Sequence, residues 1–353
     1  MVDKADTQAT HFDLTSTQPN PTDPIPQQVW DFFMPKILLN LFNFYLYIYI
    51  EDITMIKGLA ITPPVLGRIS IGKIVEKNGK RLPEKDDQFT ITSQIQNKDG
   101  WVKHPLDEQL RAKAPNQNQK LRTIPVRMIF NDPELNLRAE YSLFDRQTGR
   151  LICSGNGETC QRLTNQGVEH HPCPSPDLCS LAQGGLCKPY GRLYMNLDES
   201  DEFGTFIFRT TGFNSIRTLA ARLRYYSAAS GGLLSCLPLQ LTLRGKSTTQ
   251  SYRTPIYYVD LTLREDIHLQ EAIQTAKEIN QKSKLCGFNQ EALDHVARQG
   301  YGNACFEVGG EEGLEIVEEF YTEDSKSEHQ QTHDLTHVQD IQKGLQQSVQ
   351  ALN

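Results

Sequence analysis

The sequence predicts an α+β domain made mainly of antiparallel strands, with a cysteine-rich, zinc-binding insertion. Three observations predict it. Short alternating runs separated by turn residues recur from Val65 to Leu263, few segments have helical spacing, and five of the eight cysteines fall between Cys153 and Cys187. Many short strands with few helices also permit a small barrel of the OB type. The expected boundaries are an N-terminal extension at 1–54, a core at 55–265 with the insertion at 153–190, a helical segment at 266–306, and a disordered acidic and Gln-rich tail at 307–353. The hydrophobic fraction of 38% and the mean hydropathy of −0.49 lie on the polar side of globular, which fits chain outside the core.

Residues 37–50 (ILLNLFNFYLYIYI) are the one long apolar run. The run is short of the roughly 20 residues a membrane helix needs, Asn40 and Asn43 interrupt it, and its aromatic and β-branched content suits a strand. Met55 opens MIKGLAITPPVLGRISIGK, which reads as a natural start, so 1–54 is expected to be either foreign to the native protein or disordered. The first 30 residues lack a basic segment followed by an apolar one, so no export signal is expected and the cytoplasm is the default.

Within the core, Arg68–Val75 alternates, Asn78-Gly79 supplies a tight turn, and Phe89–Thr92 is a second β-rich run. The polar stretch 96–119 reads as a loop with a short helix near Leu106–Ala114. Arg122–Phe130 and Leu137–Phe144 are strands joined by an Asn131-Asp132-Pro133 turn, and Leu151–Cys153 follows a turn at Arg146–Gly149. Arg192–Leu197 and Phe203–Thr211 are further strands. Asn214 or Ser215 can cap a helix over Ile216–Tyr226, whose stripe is Ile216, Leu219, Ala220 and Leu223. Leu239–Leu243 and Pro255–Leu263 are strands; 269–284 and 289–299 are helices.

The cysteine segment reads Cys153-x6-Cys160-x12-Cys173-x5-Cys179-x7-Cys187 and is rich in Gly, Pro, Ser and Asn. It cannot bury much apolar surface, so its order must come from another source. Four thiolates around a structural Zn²⁺ supply that, and a reducing compartment favours metal over disulfides. The expected ligands are Cys160, Cys173, Cys179 and Cys187, with Cys153 spare at a strand end; unligated thiols or a disulfide pair are the alternatives. A full sulfur shell leaves no open position for a catalytic water.

The net charge of −7 hides an asymmetry. From Phe203 to Arg264 the chain carries Arg209, Arg217, Arg222, Arg224, Arg244, Lys246, Arg253 and Arg264 against Asp260 as the one acid. Arg209, Arg217, Arg222, Arg224, Arg244, Lys246 and Arg253, with Tyr225, Tyr226 and Tyr252 as stacking platforms, are candidate nucleic-acid contacts. The bland reading is a solvated basic face over ordinary core aromatics. Gly245-Lys246-Ser247 is no phosphate loop, because Gln240 stands where GxxxxGK[ST] needs glycine. From Glu307 to Asp324 there are eight acids and no Lys or Arg. That tail can compete for the basic surface, dock a partner through Val317–Tyr321, or merely solubilise. No nucleophile or metalloprotease motif occurs, and the isolated carboxylates Asp86, Asp87 and Asp132 sit in turn-like sequence, so no enzyme is expected.

Three segments carry a family resemblance: the stretch beginning MIKGLAITPPVLGRISIGKIVEKNGK, the cysteine segment PCPSPDLCSLAQGGLCKPYGRL, and FGTFIFRTTGFNSIRTLAARL. Over about residues 55–265 the chain resembles the recombination directionality factor-like proteins of phages and integrative elements. Similar bacterial proteins often carry the loose name "hydrolase or metal-binding protein". The resemblance places Cys160, Cys173, Cys179 and Cys187 on the family's cysteine positions. It implies a protein that binds a large serine integrase on DNA and switches it from integration to excision, with no catalysis of its own. A single-stranded-DNA-binding accessory factor for replication or recombination is the alternative, with a metal-dependent hydrolase behind it.

Overall fold

In the computed structural model, the described residues are 64–301, apart from short gaps at 78–79, 99, 114–119, 198–203, 248, 250–252 and 266, together with six residues between Gly313 and Tyr321. The N-terminal segment 1–54, with its apolar run, lies outside them. Among the described residues no helix is long and apolar enough to cross a membrane.

The chain forms β1 (Val65–Lys77), β2 (Lys80–Asn97), β3 (Gly100–Lys103), α1 (Pro105–Lys113), β4 (Thr123–Met128), the single turn α2 (Pro133–Asn136) and β5 (Leu137–Phe144). It continues through β6 (Leu151–Gly155), β7 (Thr159–Thr164), β8 (Gly167–Pro172), a 3-10 segment (Ser180–Gly185), β9 (Cys187–Leu197) and β10 (Thr205–Thr210). The last elements are α3 (Phe213–Ala229), β11 (Leu239–Lys246), β12 (Ile256–Leu263), α4 (Leu269–Leu285) and α5 (Gln290–Gly300).

All twelve strands join one sheet, antiparallel throughout except for β1 beside β10. The fold is therefore α+β, as its strand runs predict. The sheet forks at β9. Its first half pairs with β5, which leads on through β6, β7 and β8; its last residues pair with β4, which leads on to β11 and β12. A ladder that branches and ends does not close, so the OB-like barrel that short strands permit is not what these residues form.

The sequence explains the main core. β4 buries every second residue (Ile124, Val126, Met128), and β11 and β12 add Leu239, Leu241, Val259 and Leu261. On α3, Ile216, Leu219, Leu223 and Tyr226 recur at helical spacing and are buried against this layer. The helix approaches β9 closely over Gly191: a Cβ there would come within 2.8 Å of Ile216 Cγ1. Burying Leu219 and Leu223 completely contributes about 2 kcal/mol each.

Two departures from expectation concern the insertion and the tail. The insertion contains the β7–β8 hairpin, which its polar sequence conceals. In the tail, Ile316, Val317 and Phe320 are buried with Phe144, Leu151 and Tyr190 in a second apolar cluster. Val317, Phe320 and Tyr321, for which docking a partner was one of the expected uses, pack on their own chain.

Candidate functional site

Two groups of side chains carry chemistry, one on each branch of the sheet. The thiols gather on the β5–β8 branch. Leu143 of β5 pairs with Cys153 of β6 on one side and Cys187 of β9 on the other, so both thiols share a face. Gly155 pairs with Cys160 across β6 and β7, which puts Cys160 on that face too. Cys173 follows β8, its N–H bonded to Glu158 C=O at 2.8 Å, and Cys179 precedes the 3-10 segment.

Gly155 is the floor of this group. A Cβ there would lie 2.7 Å from Cys173 Sγ and 2.8 Å from Cys160 Cβ, so only glycine lets the sulfurs close over the strand. Burial, then the charges of the other four thiols, pushes Cys187 up to about 12. Cys153 is pushed up to about 11, first by burial, with Arg162 beside it acting in the opposite direction. Cys187 thus lies within the field of the other four thiols, and the described cysteines are free of disulfides. Among the described residues no group of three or more His, Cys, Asp or Glu side chains is placed to hold a metal ion. Sulfur donors drawn together over a glycine floor fit a soft or borderline divalent cation.

The neighbouring histidines are less engaged. His171 stands opposite Cys160 in the β7–β8 ladder and pairs with Glu169 at 3.1 Å. His170 is exposed.

The basic group surrounds α3. Phe213, Arg217, Arg224 and Tyr225 are exposed on its outer face. On the flank toward β11 and β12, buried Asp260 accepts from Arg222 Nε at 2.9 Å and Arg244 Nε at 2.7 Å. One carboxylate between two guanidiniums leaves net positive charge at the surface, where both arginines are about half exposed. Lys246 adds to it, held by Asn214 Oδ1 at 2.7 Å.

The remaining candidates lie elsewhere. Tyr226 is buried in the main core, so its ring is occupied by packing rather than offered as a platform. Tyr252 lies outside the described residues. Arg253 is exposed, at a φ of 61°. Arg209 sits within the sheet, opposite Arg192 of β9, which in turn stands opposite Arg138 of β5. This row of three arginines, with Glu140 ion-paired to Arg192, was not read from the sequence. Its members lie far apart in the chain, and only the register aligns them.

The carboxylates that sequence left open are engaged. Asp87 is paired with Lys120 and Arg122; the Lys120 hydrogen bond chiefly holds its carboxyl well below the usual range. Asp132 caps α2 through Glu134 N–H at 2.9 Å and pairs with Arg298.

Comparison with known proteins gives one result. A family model described as Gp3-like, recombination directionality factor-like, matches residues 66–264. Its span includes both the thiol group and the basic group. No curated protein and no solved structure matches the chain.

Proposed function

The chain belongs to the recombination directionality factor-like family, and from that premise we propose that it is a DNA-associated accessory protein in site-specific recombination of a phage or other mobile element. Its partner is a serine integrase bound to DNA, whose direction of reaction it changes by contact rather than by catalysis. The observation that carries the reading is the family match over 66–264, which spans the whole forked sheet.

The two groups take different roles in this reading. The β5–β8 branch is a structural module in which Cys160, Cys173, Cys179 and Cys187 hold Zn²⁺. Cys153, within β6, is the spare thiol of this reading. Zinc, when bound, supplies the cross-links that a segment without a large core needs. The face formed by Arg217, Arg224, Arg222, Arg244 and Lys246 meets phosphates or an acidic protein surface.

The test is a recombination assay with purified integrase, run on integration and excision substrates with and without this protein. Stimulated excision with suppressed integration is expected. Unchanged yields of both would overturn the reading. A second reading, single-strand binding, is favoured by exposed Tyr225 beside Arg224. Fluorescence anisotropy on single- and double-stranded oligonucleotides at two salt concentrations separates the two. Tight single-strand binding without integrase supports the second reading.

A further inference from the structure

Strand β5 is paired over only part of its outer side. β9 runs along its inner side from Leu137 to Leu143, whereas β6 meets only Tyr141 to Phe144. Among the described residues no strand pairs with Leu137–Glu140 on the outer side.

Three observations fix which backbone groups face out. The peptide groups of Phe144 meet the Tyr321 hydroxyl at 3.2 and 3.3 Å, which also donates to Leu186 C=O at 2.6 Å, on the β9 side. Asp145 N–H bonds Arg150 C=O at 2.8 Å, on the β6 side. The register shift between Leu143 and Phe144 takes its extra residue, Ile152, from β6, so β5 keeps its alternation and Tyr141, Ala139 and Leu137 direct N–H and C=O outward. Leu137 N–H agrees, since it is bonded to Pro133 C=O. The outer edge therefore presents Ala139 N–H, Ala139 C=O and Leu137 C=O.

These groups line a cleft of about 600 Å³ whose walls include Leu223 and Arg224 of α3, Asn156 of the β6–β7 turn, and Tyr301. A donor and two acceptors at strand spacing match another peptide backbone, the chemistry by which an extended segment adds to a sheet. Four added residues span about 13 Å. The local charge selects the side chain. Glu134 is held by Arg298 at 3.2 Å and Glu140 by Arg192, while Arg224 is 71% exposed with its closest carboxylate, Glu134, at 3.9 Å.

We propose that the outer edge of β5 at Leu137–Glu140 is a strand-addition site for an extended segment of a partner protein, with an acidic side chain directed at Arg224. The site stands on backbone geometry and does not depend on the recombination reading.

The test selects a library of displayed 12-residue peptides against the full-length protein, then measures single peptides on variants. Ala139→Pro removes the outward N–H and leaves the bonds to β9, which run through Arg138 and Glu140; a strand edge tolerates proline in that orientation. Ala139→Val keeps the donor. Selected peptides should be rich in β-branched residues with an acidic position. They should bind Ala139→Val within about twofold of the parent and Ala139→Pro about tenfold more weakly. Arg224→Glu should weaken them as well. No enrichment, or equal binding to a well-folded Ala139→Pro, would overturn the proposal. If Ala139→Pro melts early, amide exchange on the parent protein decides. Bound peptide must slow exchange at Ala139, and unchanged exchange there sinks the idea.

Discussion

The two branches of the sheet are built from the same kind of strand but held together differently. In the β4–β11–β12 branch, β4 alternates cleanly, and Ile124, Leu241, Val259 and Leu261 are fully buried in the main core with α3. In the β5–β8 branch, the outer hairpin leaves Leu163 and Val168 more than 40% exposed, and its buried residue is Cys160. One branch is ordered by its own sequence pattern. The other gathers thiols rather than apolar side chains and packs against a segment from the region of Ile316–Phe320. Stability in this protein is therefore uneven, and agents that attack one branch should spare the other.

The largest expected effect is on the thiol branch. Removing metal with a strong chelator, or changing Cys187→Ser, should raise amide exchange over residues 151–187 by more than about 100-fold and leave β11 and β12 nearly unchanged. Equal loosening of both branches would break the comparison. Next, Leu219→Ala should cost about 3 kcal/mol in denaturant unfolding, because the site is fully buried and sealed by neighbours. Leu163→Ala, on the exposed hairpin, should cost less than about 0.5 kcal/mol.

Phe320→Ala sharpens the contrast further. Phe320 is 1% exposed and meets Phe144 and Tyr190 edge-on, with ring centroids 5.0 and 5.6 Å apart. Its loss should cost about 3 kcal/mol and should speed thiol labelling of Cys187 without loosening α3. Asp260→Ala is a smaller and opposite test. It should cost about 1–2 kcal/mol, since both partner arginines reach solvent, while strengthening DNA or polyanion binding and steepening its salt dependence.

The smallest effect is on pH. Asp87 has a folded pKa below its unfolded one, so the stability it adds is present above the ordinary carboxylate range. It is lost as pH falls through the folded value. Asp87→Asn should therefore shift the acid-unfolding midpoint slightly upward, and the shift should shrink in high salt.

Much of the well-packed branch was legible in the sequence because its signals are local. The alternation in Thr123–Met128 and the spacing of Ile216, Leu219 and Leu223 each predict one buried face. The thiol branch was legible as a cluster of cysteines but not as strands. Thr159–Pro172 has too few apolar residues to announce a hairpin; its strands are joined by the β7–β8 ladder from Thr159–Pro172 to Thr164–Gly167. The arginine row of Arg138, Arg192 and Arg209 and the open edge at Ala139 are products of register, which no short window of sequence encodes. The buried place of Phe320 was hidden in the same way, behind the acids that flank it.

The return of the tail has a consequence for synthesis. Lys188 in β9 donates to Phe320 C=O across 132 residues of chain at 3.2 Å. A ribosome adding roughly 5–20 residues per second needs roughly 7–26 s to cover that interval. During that time Phe144, Leu151 and Tyr190 have emerged and have no lid. Nascent protein thus passes through a stage in which an aromatic patch beside the thiol strands is bare. Early release of the chain, by premature termination or proteolysis before Ile316, would make that stage permanent.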